Sequence, residues 1–327
     1  MRNPIPRFTR LLAAAALCTA AIGAQAQEVL KLGHVTPPTH VWHKVALKIG
    51  ENLKSKSGGE MTVAVSPLSK LGSEGLMMDM LRSGALPMAI LTVGPVSNRE
   101  PAFMGWSLPY LFRDVHHATA AASTHVTQDM LKSLDKHGMV GMGYGFAGMR
   151  HVLSSRTISS PADLKNQKVR VFPNPVYKDY WQALGTAPTP LPLSEVAPGL
   201  TTNLLDAVDI DLDALVGMKF HQQAPNLALT NHMAFPSVIV VSKRYWDGLN
   251  DKQRKMLADS IKEAEIWGYT QAVTAEESNL QTVVKDGAKL QKVDLKPFTA
   301  IGEKVSQSYT VRYPKIQQFY QQAKTAK

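Results

Sequence analysis

The feature that most constrains this chain is a strand–helix–strand alternation that runs once, stops, and starts again after Gly148. In the first run, "EVLKLGHV" (28–35) alternates as a strand and ends in the turn signal Thr36-Pro37-Pro38. Val41, Val45, Ile49 and Leu53 then recur every four residues, which predicts a helix capped by Thr39 and ended by Gly58-Gly59. "EMTVAV" (60–65) is the next strand, Ser73 caps a second helix stopped by Gly84, and "PMAILTV" (87–93) is a strand apolar throughout. A continuous apolar run suits a central parallel strand, covered on both faces. Such alternation calls for right-handed crossovers and a parallel sheet.

The second run opens at Ser160-Pro161, takes a left-handed stop at Asn166, and continues into the strand "KVRVF". A helix around Tyr177–Leu184, another opened by Ser194-Glu195, and the strands "LLDAVDIDL" and "FPSVIVVS" (235–242) follow. Asn250 to Gln253 reads as a capping box that starts a helical pattern running to about Lys285. No fixed-period repeat or low-complexity linker interrupts the chain. The fold class read from this pattern is α/β, as two lobes that share strands and a long connecting helix.

Residues 1–26 stand apart from that pattern. Arg2, Arg7 and Arg10 precede the Ala/Leu-rich run 11–23, and Ala24-Gln25-Ala26 is a small-x-small cleavage site, so a secretory signal peptide is expected. Its removal takes away Cys18, the one cysteine, and three of the ten excess positive charges. An exported chain without a thiol uses neither disulfides nor cysteine chemistry. The remaining basic residues are dispersed with no run of five, so a nucleic-acid partner is not expected.

In open α/β sheets, ligands sit beyond the carboxyl ends of the strands. Those ends carry His34 and Thr36, Thr92 and Gly94, Phe172 and Pro173, and Asp209 and Asp211. "GYGFAG" (143–148) matches a dinucleotide fingerprint, but alternation rather than a helix follows it, so close backbone packing is the reading and no cofactor is expected. His40 and His43 read as an exposed helix face and His116-His117 as solvent-facing, with too few ligands nearby for a metal. Asp209, Asp211 and Asp213 would share one face of a strand; one of them could accept a ligand hydrogen bond or balance an arginine. No nucleophile–base pair stands at a recognisable spacing. Arg150 and Arg170 lie in alternating, buried-looking segments, and each therefore needs either an internal acid or a ligand anion.

The blocks "LKLGHVTPPTH", "SKLGSEGLMMDMLRSGALPMAI", "LPYLFRD", "GMRHVLSSRTISSPADLKNQKVRV", "LGTAPTPLPLSEV" and "LTTNLLDAVD" occur in an order that carries a family likeness. The chain resembles the solute-binding proteins of tripartite ATP-independent periplasmic (TRAP) transporters, of the C4-dicarboxylate-binding (DctP) type. The resemblance implies a two-lobe, Venus-flytrap periplasmic binding protein that closes on a small organic acid and passes it to the small and large membrane permease subunits, without catalysis. The lobes expected from it are 27–147 with 236–275, and 148–235 with 276–327. A periplasmic monomer is expected.

Carried over residue by residue, the resemblance places the ligand carboxylate on Arg170 and a second basic contact at Arg150. It adds Glu74 from "LGSE" and the strand end Thr92, Val93 and Gly94, while His34, Phe172, Pro173, Leu193, Asp209 and Ile210 complete the expected lining. The chain departs from the family pattern at Pro173, Leu193 and Ile210, where polar or aromatic residues are common. The expected pocket is accordingly rather apolar, suited to a monocarboxylate or aromatic acid more than to a polyol. Some family members hold a metal through the acid at Asp209; no metal is expected here. Two rival readings stay open at this stage: a two-lobe binder for another transporter or a sensor, and an exported α/β enzyme using the Asp206–Asp213 run.

Overall fold

The computed structural model describes residues 27–327, so the expected signal peptide lies outside the described residues. The first alternation forms β1 (Glu28–Gly33), β2 (Met61–Ser66) and β3 (Met88–Thr92), with β1 parallel to both neighbours. The helix Val41–Lys56 buries Val41, Trp42, Val45, Ile49 and Leu53 against this sheet, as the four-residue spacing requires. Its cap is His40 rather than Thr39: the His40 ring nitrogen accepts from the Trp42 amide at 3.1 Å. Ser73 caps the helix Glu74–Ser83, and Gly84 ends it at φ 84°, a left-handed turn that favours glycine.

The two lobes are joined by β4 (Met139–Ser154) and β9 (Ala234–Ser242), which run antiparallel. The strand β4 is continuous over 16 residues, through the glycines of "GYGFAG". Its first half completes the first lobe beside β9, and its second half pairs with β7 (Ala207–Asp211) and β8 (Asn226–Ala228). Beyond β7 come β5 (Lys168–Val171) and the edge strand β6 (Ala187–Pro190); β10 (Lys289–Gln291) pairs with β8. The main order is β2-β1-β3-β9-β4-β7-β5-β6.

The capping box of Asn250 and Gln253 opens a helix, Asp251–Lys285, of 35 residues, about 50 Å at 1.5 Å per residue. It packs along the helix Val41–Lys56 in one lobe and Leu212–Met218 in the other. Gly143 accommodates it: a Cβ there would lie 2.5 Å from Glu265 Oε1. The carboxylate of Glu265 takes the Tyr144 amide at 2.8 Å and the Tyr269 hydroxyl at 2.7 Å. The glycines of "GYGFAG" thus let a helix approach a strand, and no helix N-terminus follows them to cradle a phosphate.

The last helix, Pro314–Thr325, departs from the expected lobe division. It packs on the first lobe's Pro101–Ser107 segment, where Phe319 meets Trp106 at 4.9 Å between rings, although 276–327 were assigned to the second lobe. His117, read as solvent-facing, is buried for the same reason: its Nε2 lies 2.8 Å from the Ala323 carbonyl of that helix. Among the described residues no helix is long and apolar enough to cross a membrane.

Candidate functional site

The two valines of β5 are buried, and so is the arginine between them, with Arg170 only 1% exposed. Its Nε donates to the Leu191 carbonyl at 2.9 Å, while among the described residues its Nη1 has no partner. The guanidinium lies over the Phe172 ring, 4.2 Å from the centroid. Leu191 stands between Pro190 and Pro192, whose rings fix φ and hold that carbonyl in place. Burial, and then the charge of Arg150, bring the Arg170 pKa down to about 10, with Asp209, Tyr177 and Glu74 opposing the fall. At neutral pH it remains a cation with part of its fork unsatisfied.

Arg150 has the opposite fate. The antiparallel register sets it across from Asp211, two residues from Asp209 on β7, so both acids share its face. Its Nε meets Asp209 Oδ1 at 2.5 Å, its Nη2 donates to the Asp209 carbonyl, and its Nη1 reaches Asp211 Oδ2 at 3.5 Å. The rings of Phe235 and Phe172 flank it at 4.2 and 4.8 Å. Burial alone would favour a neutral Arg150, but Asp209, Tyr177 and Asp211 together outweigh it, and the pKa rises. Burial also opposes the charge on Asp209; Arg150 and His232 overcome it and hold that carboxyl below its usual range.

Between the lobes lies a cavity of about 420 Å³. Arg170, Glu74, Phe172, Pro173 and Leu193 line it, together with Val35, Ser69, Ser73, Met78, Pro95, Asn98, Arg99 and the 190–192 segment. Arg150, Thr92, Val93, Asp209, Ile210 and His34 do not line it. Thr92 sits behind Glu74, giving it an amide at 2.6 Å and a hydroxyl at 2.9 Å. His34 is turned inward, to Thr36 Oγ1 at 2.9 Å and His43 Nδ1 at 3.0 Å, and burial with these neighbouring rings brings its pKa down to about 3. His40 is buried rather than exposed, 3.5 Å from Asp211 across the lobes.

Some of the lining had a sequence signal that went unused. The alternating prolines of "APTPLP" mark a stiff edge strand whose end forms the wall. In "PLSKLG", Leu68 and Ser69 both adopt φ 56°, a conformation unusual for such residues and frequent at ligand clamps. Asn98 and Arg99 gave no local signal.

Glu74 is the cavity's titrating group. Burial raises its pKa from 4.5 to about 7, against the Thr92 hydrogen bonds and the Arg170 charge that favour the carboxylate. An acid whose folded pKa is raised binds more protons folded than unfolded, so its contribution to stability is full below 4.5 and is lost as pH climbs to about 7. Urea unfolding of ligand-free wild type and Glu74→Gln should show the wild type losing about 3 kcal/mol relative to the variant between pH 5 and pH 8. A pH-independent difference would contradict this account of Glu74.

Chemically, the arrangement is a mostly apolar chamber with a buried, incompletely bonded cation and a proton-exchanging acid. It offers bidentate recognition of a planar anion. Asp209 and Asp211 are taken by Arg150, Asp213 accepts the Val41 amide at 2.6 Å, and Asp206 accepts the Lys168 amide at 2.8 Å.

Residues 32–312 match the family of bacterial extracellular solute-binding proteins, family 7, named DctP. The 2,3-diketo-L-gulonate-binding periplasmic protein YiaO of Escherichia coli K12 is 30% identical over 308 residues, covering 92% of each chain. A TRAP periplasmic solute-binding protein from Bordetella bronchispeptica, with density interpreted as pantoate, superposes with a TM-score of 0.87 at 26% identity, over 92% of this chain and 100% of that one. One from Xanthobacter autotrophicus Py2 with bound β-D-galacturonate gives 0.86 at 26% identity, over 91% and 100%. With the two-lobe fold, the interlobe chamber and these matches together, the chain belongs to the DctP family and is a solute-binding protein of the TRAP type.

Proposed function

We propose that this protein works in the periplasm, captures a small organic monocarboxylate in the interlobe chamber, and delivers it to the membrane permease subunits of a TRAP transporter. The observation that carries the reading is Arg170: a buried guanidinium, charged at neutral pH, with Nη1 lacking a partner among the described residues, on a side chain that lines the chamber. A buried charge in that state is costly unless an anion completes it, and a planar carboxylate fits the fork. Glu74 supplies a hydrogen-bonding group for a ligand hydroxyl near the carboxylate. Val35, Met78, Phe172, Leu191, Leu193 and the surrounding prolines favour a compact, apolar ligand body. Pantoate, as which density in the Bordetella relative is interpreted, is of that kind; galacturonate, bound in the Xanthobacter relative, has more hydroxyls to satisfy.

A thermal-shift panel tests this reading. Pantoate, short aliphatic and aromatic monocarboxylates and D-galacturonate should be compared with the corresponding neutral alcohols. A ligand at 100 times its Kd should raise Tm by roughly 4–5 °C for a chain of this size. Shifts by apolar-bodied carboxylates, larger than that of galacturonate, are expected. Shifts by the neutral alcohols alone would overturn the reading.

A further inference from the structure

The chamber brings a buried cation and a buried acid together from opposite lobes. Arg170 lies in β5 of the second lobe, and Glu74 opens the helix Glu74–Ser83 of the first. Arg170 is 1% exposed and Glu74 8%. Both carboxyl oxygens of Glu74 rest on Thr92, Oε1 accepting its amide at 2.6 Å and Oε2 its hydroxyl at 2.9 Å. An amide can only donate, so Oε1 stays an acceptor. A hydroxyl can donate or accept, so a proton on Oε2 keeps the second bond. The seat therefore serves either charge state of Glu74. The other charged and titratable groups around it are engaged elsewhere. Arg99 donates to Asp79 Oδ1 at 2.9 Å, His34 is neutral behind Ser69, and Lys70 is exposed on the Pro67–Lys70 turn. Arg150, Asp209 and Asp211 are paired with one another and do not line the chamber. The charge that bears on Glu74 is that of Arg170.

We infer that the protein takes up a proton on Glu74 together with the organic anion it binds. One buried guanidinium balances one carboxylate. Once the ligand carboxylate is on Arg170, a second carboxylate beside it has no cation, and a buried unpaired charge is costly. With protein groups alone, burial set against the Thr92 bonds and the Arg170 charge puts Glu74 at about 7. A bound anion cancels the Arg170 charge and adds a like charge. Closure of the lobes on the ligand takes water away from Glu74. Each of these pushes the carboxyl toward its neutral form. The coupling is reciprocal, so protons tighten the anion's binding as much as the anion tightens the proton's. The inference rests on the carboxylate reading and adds a second, protonic ligand to it.

Titration calorimetry with the strongest acid of the thermal-shift panel, in buffers of different ionisation heat, counts the protons. Wild type should take up at least about half a proton per ligand at pH 8, and its affinity should fall about fivefold or more from pH 7 to pH 8.5. Glu74→Gln, which cannot titrate, should take up none and lose that pH dependence. Thr92→Val removes the hydroxyl that favours the carboxylate and should move the profile to higher pH. The wild-type proton count needs no variant, so it decides the matter even where a variant is unstable. Binding without proton uptake, or equal uptake in folded Glu74→Gln, would overturn the inference and leave the carboxylate reading in place. Failure of every acid to bind, on either side of neutral pH, would overturn the carboxylate reading and this inference with it.

Discussion

Arg170→Ala lowers carboxylate affinity by at least about 100-fold, measured by calorimetry with the strongest acid from the thermal-shift panel, because two charge-assisted hydrogen bonds are worth roughly 1.5–3 kcal/mol each. The ligand-free variant should be no less stable than wild type. In the empty protein Arg170 makes one bond, to the Leu191 carbonyl, and bears the burial cost that brings its pKa down to about 10. Arg170→Lys should recover a minor part of the affinity: an ammonium supplies charge but not the planar fork, and it cannot both reach Leu191 and grip two carboxylate oxygens. A Kd within threefold of wild type for Arg170→Ala would remove this residue from the site.

The second large effect falls on stability. Asp209→Ala should cost about 3–5 kcal/mol in urea unfolding, the usual cost of stripping one partner from a buried ion pair. Arg150, fully buried, would keep only the Asp209 carbonyl and a distant Asp211 oxygen, and His232 would lose the carboxylate 3.2 Å from its Nε2. Asp209→Asn, which keeps an acceptor, should cost less. Replacing both partners by apolar residues, Arg150→Met with Asp209→Leu, should recover much of the loss. A single-variant cost below about 1 kcal/mol would show that solvent reaches Arg150 and that the chain of acids is not what holds it.

The contrast between these two arginines marks where the sequence stops informing. Both sit in alternating segments, and either could serve an internal acid or a ligand. The choice is made by strand register: β4 against β7 sets Arg150 opposite Asp211, while β5 sets Arg170 beside a proline-edged strand that offers one carbonyl. Local signals carried the elements well. Ser73, Gly84, Asn166 and the Asn250–Gln253 box each act at the expected turn, and Asn166 takes φ 62°. These are short-range preferences, settled within a few residues.

The misreadings share one cause, partners distant in sequence. His40 looked exposed on its own helix but meets Asp211 from the other lobe, and His117 meets Ala323 from the last helix. The glycines of β4 likewise answer to distant partners, Gly143 to Glu265 and Gly148 to Glu276 of the long helix. The chamber itself was half legible. Phe172 and Pro173 line it as the strand-end argument expects, and Arg170, Glu74 and Leu193 line it as the family resemblance implies, while the strand-end residues Thr92, Asp209 and His34, and Ile210, are drawn behind the wall by their own partners or by the core.

The most direct test of the account is a crystal structure of the protein soaked with the acid that gives the largest thermal shift. The account predicts one carboxylate oxygen within about 3.2 Å of Arg170 Nη1, with the ligand body against Phe172 and Leu193 and Arg150 still paired with Asp209. A carboxylate seated on Arg150, or on the rim at Arg99 with Arg170 left unbonded, would contradict it.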